Sequence, residues 1–186
     1  VPGWPITLGT YWVWAYENYP NYTDPWLTYA EWRYLGETVI VATGLGFTLK
    51  GSGVGDPIND VQNYSFIGKP HNGSITTPIT NGNEAVVGNP YPSAIDSHEF
   101  INDNIPGTGN GSIDGTLYFW EHYESNTTHI LEDYEGGYAT LNLTGGLGAY
   151  MPPLISGAGT STKIPGRFIP VGQGFFVSAL ISSGGD

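Results

Sequence analysis

Cysteine is absent from the chain. Disulfide frameworks, zinc–thiolate centres, iron–sulfur clusters and cysteine nucleophiles are therefore excluded. The absence leaves the compartment open, because a cytosolic protein can lack cysteine and so can a bacterial surface protein that avoids free thiols. Positive charge is scarce: Lys and Arg together number 5 against 17 Asp and Glu, for a formal net charge of −12. Such a surface repels phosphate backbones and anionic lipid headgroups, so no nucleic-acid partner is expected. No apolar run approaches the roughly 20 residues that a membrane helix needs, and no membrane insertion is expected. No signal peptide is visible and the first residue is Val1, so the chain reads as a processed product or a piece of something longer.

Glycine and proline are abundant, at 28 and 14 of 186 residues. That density of punctuation breaks long helices and suits short strands joined by turns. Hydrophobic residues make up 39% and aromatics 14%, enough to bury a core. Strand-like stretches fall at 11–16, 37–42, 46–50, 64–68, 84–88, 116–120, 138–143, 167–171 and 174–180, each bounded by turn residues. The fold class predicted is all-β, with antiparallel sandwich-like sheets. One short helix is expected near 93–101, where Ser93 is a candidate N-cap and Asp96 follows three residues later.

The chain also echoes itself. Gly9-Thr10-Tyr11-Trp12-Val13-Trp14 matches Gly115-Thr116-Leu117-Tyr118-Phe119-Trp120, and in that register Trp12 pairs with Tyr118 and Trp14 with Trp120. Gly44-Leu45-Gly46-Phe47 likewise matches Gly172-Gln173-Gly174-Phe175. A Gly-x-Gly-Phe entry lets the backbone reach φ > 0 or approach another chain closely, after which the Phe can drop into the core. The echoes suggest two related β units, residues 1–88 and 89–186, or one fused domain. The alternative is that strand-turn-strand proteins reuse similar words by accident.

Five phrases occur in an order that resembles a known region. They are Gly46-Phe47-Thr48-Leu49-Lys50-Gly51-Ser52-Gly53, Tyr64-Ser65-Phe66-Ile67-Gly68-Lys69-Pro70-His71-Asn72-Gly73, Val87-Gly88-Asn89-Pro90-Tyr91-Pro92-Ser93-Ala94-Ile95-Asp96, Gly115-Thr116-Leu117-Tyr118-Phe119-Trp120-Glu121-His122 and Ile169-Pro170-Val171-Gly172-Gln173-Gly174-Phe175-Phe176-Val177. Together they are similar to a region of Bacteroidetes surface and secreted proteins exported by the type IX secretion system. The third and fifth phrases are the most specific. The resemblance implies a long multi-domain exported protein, in which this region precedes a C-terminal sorting domain. It implies an extracellular or cell-surface location and supplies no catalytic residue.

Four residue types offer candidate chemistry. Glu121, Glu124, Glu132, Asp133 and Glu135 crowd one stretch beside Trp120, His122 and Tyr123. A glycoside hydrolase needs two carboxyl groups at a fixed separation across a sugar cleft. No motif fixes that geometry here, and solvated loop acids are the simpler account, so no enzyme is expected. His71, His98, His122 and His129 are scattered, without metal-ligand spacing.

Asp103, Asn104, Asn110 and Asp114 in a Gly-rich loop offer hard oxygen ligands to calcium, as do Asp56, Asn59 and Asp60. Ordinary Asx turns explain the same residues. Finally, 6 Trp and 13 Tyr exceed what a core of this size needs. Flat exposed rings stack on sugars, and Trp26, Tyr29, Trp32 and Trp120 are the expected platform; the other reading buries the rings between units. The function expected is a non-catalytic structural or adhesive module; the alternatives are a carbohydrate-binding module that uses exposed Trp and Tyr, and a glycoside hydrolase fragment that uses Glu121 or Glu135. Its partners would be neighbouring domains of the parent protein, copies of itself joined through sheet edges, or glycans.

Overall fold

The computed structural model describes residues 10–16, 28–29, 32–36, 38–49, 67–79, 81–123, 135–150, 161 and 163–181. They form an all-β, sandwich-like fold with one short helix, as composition predicts. A 3-10 turn, Thr10–Trp12, leads into β1 (Trp14–Tyr16), which joins β2 (Thr28–Tyr29) and β3 (Trp32–Tyr34) in a three-stranded sheet of order β1-β3-β2. Next along the chain come β4 (Glu84–Gly88), β5 (Ile95–Asp96), α1 (Ser97–Asn104) and β6 (Ile113–His122). They are followed by β7 (Gly136–Asn142), β8 (Gly145–Leu147), β9 (Phe168–Ile169) and β10 (Gly174–Ala179). The main sheet has five antiparallel strands in the order β4-β10-β6-β7-β8, and β5 pairs with β9.

The period-two alternation of β6 divides the main sheet into two faces. Leu117 and Phe119 point one way, beside Leu141 of β7 and Phe175 and Val177 of β10. Helix α1 covers this face with Ile101, and Ile113 and Ile169 close the cluster. Each fully buried side chain of this size contributes roughly 1.5–3 kcal/mol. Tyr118 and Trp120 point the other way, level with Phe176 of β10 and with Thr140 and Tyr138 of β7.

A short link, residues 45–48, ties the three-stranded sheet to the main one. The Gly46 N–H donates to the Val86 carbonyl (2.9 Å), and the Thr48 N–H donates to the Trp14 carbonyl (2.8 Å). Strand β4 pairs along its length with β10, so residues on both sides of the 88/89 division lie in one sheet.

The two most specific phrases meet through one side chain. Asn89 is 6% exposed. Its Nδ2 donates to the carbonyls of Ser93 (2.9 Å), Ile169 (3.2 Å) and Pro170 (3.0 Å), while its Oδ1 accepts from the Tyr91 N–H (3.0 Å). The Gly-Asn-Pro-Tyr-Pro-Ser and Ile-Pro-Val-Gly-Gln-Gly words are thus two halves of one hydrogen-bonded corner.

The helix starts later than Ser93. Its N-cap is Asp96, whose Oδ1 accepts from the His98 N–H at 3.0 Å. Ile95 and Asp96 are held extended by pairing with β9, so helical geometry cannot begin before Ser97. Arg167 fixes the cap from across the chain, with Nη2 2.8 Å and Nε 2.9 Å from Oδ2.

Several local expectations fail. Where a strand is predicted at 46–50, residues 46–49 form no strand, and Phe47 makes only an isolated bridge to Ala15. Residues 38–42 form no strand, and Ile40 is 93% exposed, because a β-branched run without a partner ladder has nothing to pair with. Thr10–Trp12 turns as a 3-10 helix while its echo Thr116–Tyr118 is strand, so the two copies do not share a backbone. Gly44 and Gly172 do both hold positive φ, at 89° and 72°. Phe175 then enters the core, whereas Phe47 stays 42% exposed. Residues 64–66 of another predicted strand lie outside the described residues.

Candidate functional site

The outer face of the main sheet carries an open groove of about 440 Å³. Tyr16 and Trp32 reach it from the three-stranded sheet; Glu84, Tyr118, Tyr138, Thr140 and Phe176 line it from the main sheet. Phe176 is its hub. The rings of Tyr16, Trp32 and Tyr138 lie 5.1, 6.0 and 5.5 Å from it, inclined at 73°, 79° and 90°. Trp120 extends the array outward, 5.1 Å from Tyr138 at 67°. These are edge-to-face contacts, each favourable by about 0.5–1.5 kcal/mol beyond its buried area. Burial pushes the Tyr138 phenol above its ordinary range, and the Glu84 carboxylate raises it further.

Of the predicted aromatic platform, Trp32 and Trp120 belong to this array and are linked through Phe176 and Tyr138. Trp32 is half-buried rather than displayed. Tyr29 lies in β2, paired with Trp32, and its side chain is outside the described residues; Trp26 is outside them altogether. Sequence reasoning missed Tyr16, Glu84, Tyr138, Thr140 and Phe176 as partners. The alternation of Tyr118 and Trp120 was the available signal, but the cross-strand register that adds Tyr138 and Phe176 is not visible in the linear chain. In Phe175-Phe176, both faces of β10 carry the same residue type.

The acidic candidates sit elsewhere. Glu121 points to the opposite side of β6 from Trp120 and is 6% exposed. Its Oε2 accepts from the Ser161 hydroxyl (2.8 Å) and its Oε1 from the Lys163 N–H (3.2 Å). The nearby Tyr123 phenol is pushed up by burial and, second, by the charge of Glu121. The Glu135 carbonyl accepts from the Tyr123 N–H at 3.0 Å, and Glu124, Glu132, Asp133 and His129 lie outside the described residues.

The calcium candidates form turns. Asn110 Nδ2 donates to Asn104 Oδ1 (3.0 Å), Asn110 Oδ1 accepts from the Ser112 N–H (2.9 Å), and Asp114 Oδ1 accepts from the Thr116 N–H (2.9 Å). The Asp103 carbonyl accepts from the Asn110 N–H at 3.0 Å, with the Asp103 side chain exposed. Asp56, Asn59 and Asp60 are outside the described residues, among which no group of three His, Asp or Glu side chains is gathered.

The family described as a domain of unknown function (DUF8693) matches residues 5–184. No curated protein and no solved structure matches the chain.

Proposed function

The chain belongs to the family described as a domain of unknown function, and we propose that it is a non-catalytic structural and adhesive module of an exported bacterial surface protein. The export and location rest on the phrase resemblance. The adhesive role rests on one observation: the outer face and the β8 end of the main sheet display large apolar side chains. Trp120 is 49% exposed, Tyr138 42%, Leu147 70% and Tyr150 78%. We read this displayed apolar surface as the contact region, and a strand that ends a sheet offers its outer row of backbone groups to another strand. The partners are a neighbouring domain of the parent protein or a second copy of the chain. Light scattering over a concentration series tests this. Species larger than the monomer, diminished by Leu147→Asp, are expected; a monomer throughout, together with no capture by the adjacent parent domains, would refute it.

A second reading, a carbohydrate-binding module, is favoured by the exposed Trp120–Tyr138 pair beside the groove. It predicts calorimetric binding of soluble oligosaccharides that is lost in Trp120→Ala. With Asn104 Oδ1, Asn110 Oδ1 and Asp114 Oδ1 accepting turn bonds, adding or chelating calcium is expected to leave the melting temperature unchanged. A clear rise with calcium would assign that loop to the metal.

A further inference from the structure

We propose that Asn72 is a self-modifying site, at which the chain converts its own asparagine into aspartate and isoaspartate. Asn72 is followed by Gly73, which has no side chain to hinder approach to its amide nitrogen. The reaction needs only water besides the protein. The Gly73 nitrogen attacks the Asn72 Cγ, so that an N–Cγ bond forms and the Cγ–Nδ2 bond breaks. Nδ2 leaves as ammonia, taking the Gly73 amide proton. Water then opens the five-membered imide at either carbonyl, giving aspartate or isoaspartate, with nothing oxidised or reduced.

The sequence holds three such pairs: Asn72-Gly73, Asn81-Gly82 and Asn110-Gly111. The fold separates them. Asn110 is held at both ends of its amide: Nδ2 donates to Asn104 Oδ1 (3.0 Å), while Oδ1 accepts from the Ser112 N–H (2.9 Å) and the Ser112 hydroxyl (2.6 Å). These bonds must break before its Cγ can turn to the Gly111 nitrogen. Asn81 is engaged in a contact of its own, and a Cβ on Gly82 would stand 3.1 Å from Ile181. Asn72 is exposed, and among the described residues its side chain makes no hydrogen bond. A Cβ on Gly73 would meet nothing within 4 Å, so the space around the reacting amide is open.

The product alters a contact. The Gly73 carbonyl accepts from the Tyr91 hydroxyl at 2.7 Å, and the Tyr91 N–H donates to Asn89, so this bond ties Gly73 to the Asn89 corner. Isoaspartate lengthens the main chain by one methylene beside that tie, and either product adds a negative charge to a chain already at −12.

This inference is independent of the assembly reading. The whole chain is incubated at mildly alkaline pH and sampled by peptide mapping with mass spectrometry, which reads the replacement of NH2 by OH at each asparagine. In the folded chain, conversion at Asn72 is expected to run about tenfold or more faster than at Asn110, the scale set by the hydrogen bonds that Asn110 must break. It should also outrun Asn81. In guanidinium, where the fold is lost, the three rates should converge. The Tyr91 ring signals in NMR spectra should shift in step with isoaspartate at 72, and Asn72→Gln should abolish both the conversion and the shift. Equal rates at Asn72 and Asn110 in the folded chain, faster conversion at Asn110 or Asn81, or conversion at Asn72 only in guanidinium would each overturn the proposal.

Discussion

Asn89 joins the two most specific phrases of the sequence, and its side chain has no spare polar atom. Asn89→Ala strands the carbonyls of Ser93, Ile169 and Pro170 and the N–H of Tyr91. A loss of about 2–3 kcal/mol is expected in urea denaturation, the scale of a buried network left unsatisfied. Ser97 behaves in the opposite way. It is fully buried, and its Oγ has no hydrogen-bond partner among the described residues. Ser97→Ala is therefore expected to leave stability unchanged or raise it by about 1 kcal/mol in the same assay.

The titrating residues give stability a defined pH window. The hydrogen-bonded Arg167 guanidinium holds the Asp96 carboxyl below its ordinary 3.8, with burial opposing and the His98 amide assisting. The folded value lies below the unfolded one, so this contribution is complete above pH of about 4 and drains away as pH falls through the folded value. For Tyr123 and Tyr138 the sign reverses. Burial first, and then Glu121 and Glu84 respectively, raise both phenols above 10.0. Their contribution is complete below that value and is lost as pH rises through the folded pKa. Melting temperature against pH should fall at both ends, and Asp96→Asn should flatten the acid limb alone.

At the scale of elements, the sequence was most legible where pairing and local propensity agree. Strand β4 lies where Glu84–Gly88 was predicted, and β10 spans nearly all of its predicted stretch, because both are apolar runs with turn residues at each end. Residues 38–42 are equally β-branched and form no strand, since strand formation needs a neighbour that the local sequence does not name. The helix was displaced for the same reason: the β5–β9 pairing, between segments far apart in sequence, holds Asp96 extended.

The candidate groove was half legible. Trp32 and Trp120 stood out as aromatics, but their link runs through Tyr138 and Phe176, which only register brings alongside. Close approach was also hidden. A Cβ on Gly146 would meet the Pro165 carbonyl, because Ile164 and Pro165 lie against β8 there. Gly146→Val is expected to cost about 1–3 kcal/mol in thermal unfolding, with the cost arising at the β8 end of the sheet.

At the scale of the molecule, one sheet has two unlike faces. The inner face, under α1, holds the fold together through Leu117, Leu141, Phe175 and Val177. The outer face gathers rings and leaves several of them open. Leu117 and Trp120 make the comparison on a single strand, three positions apart and on opposite faces. The decisive measurement is chemical denaturation of Leu117→Ala beside Trp120→Ala. Leu117→Ala should lose about 2–5 kcal/mol, as a fully buried leucine does, while Trp120→Ala, which loses a half-exposed ring and one edge-to-face contact, should lose clearly less, about 1–2 kcal/mol. A Trp120→Ala protein as destabilised as Leu117→Ala would mean that the outer rings serve the core, and would contradict a sheet that keeps one face for stability and the other for contact.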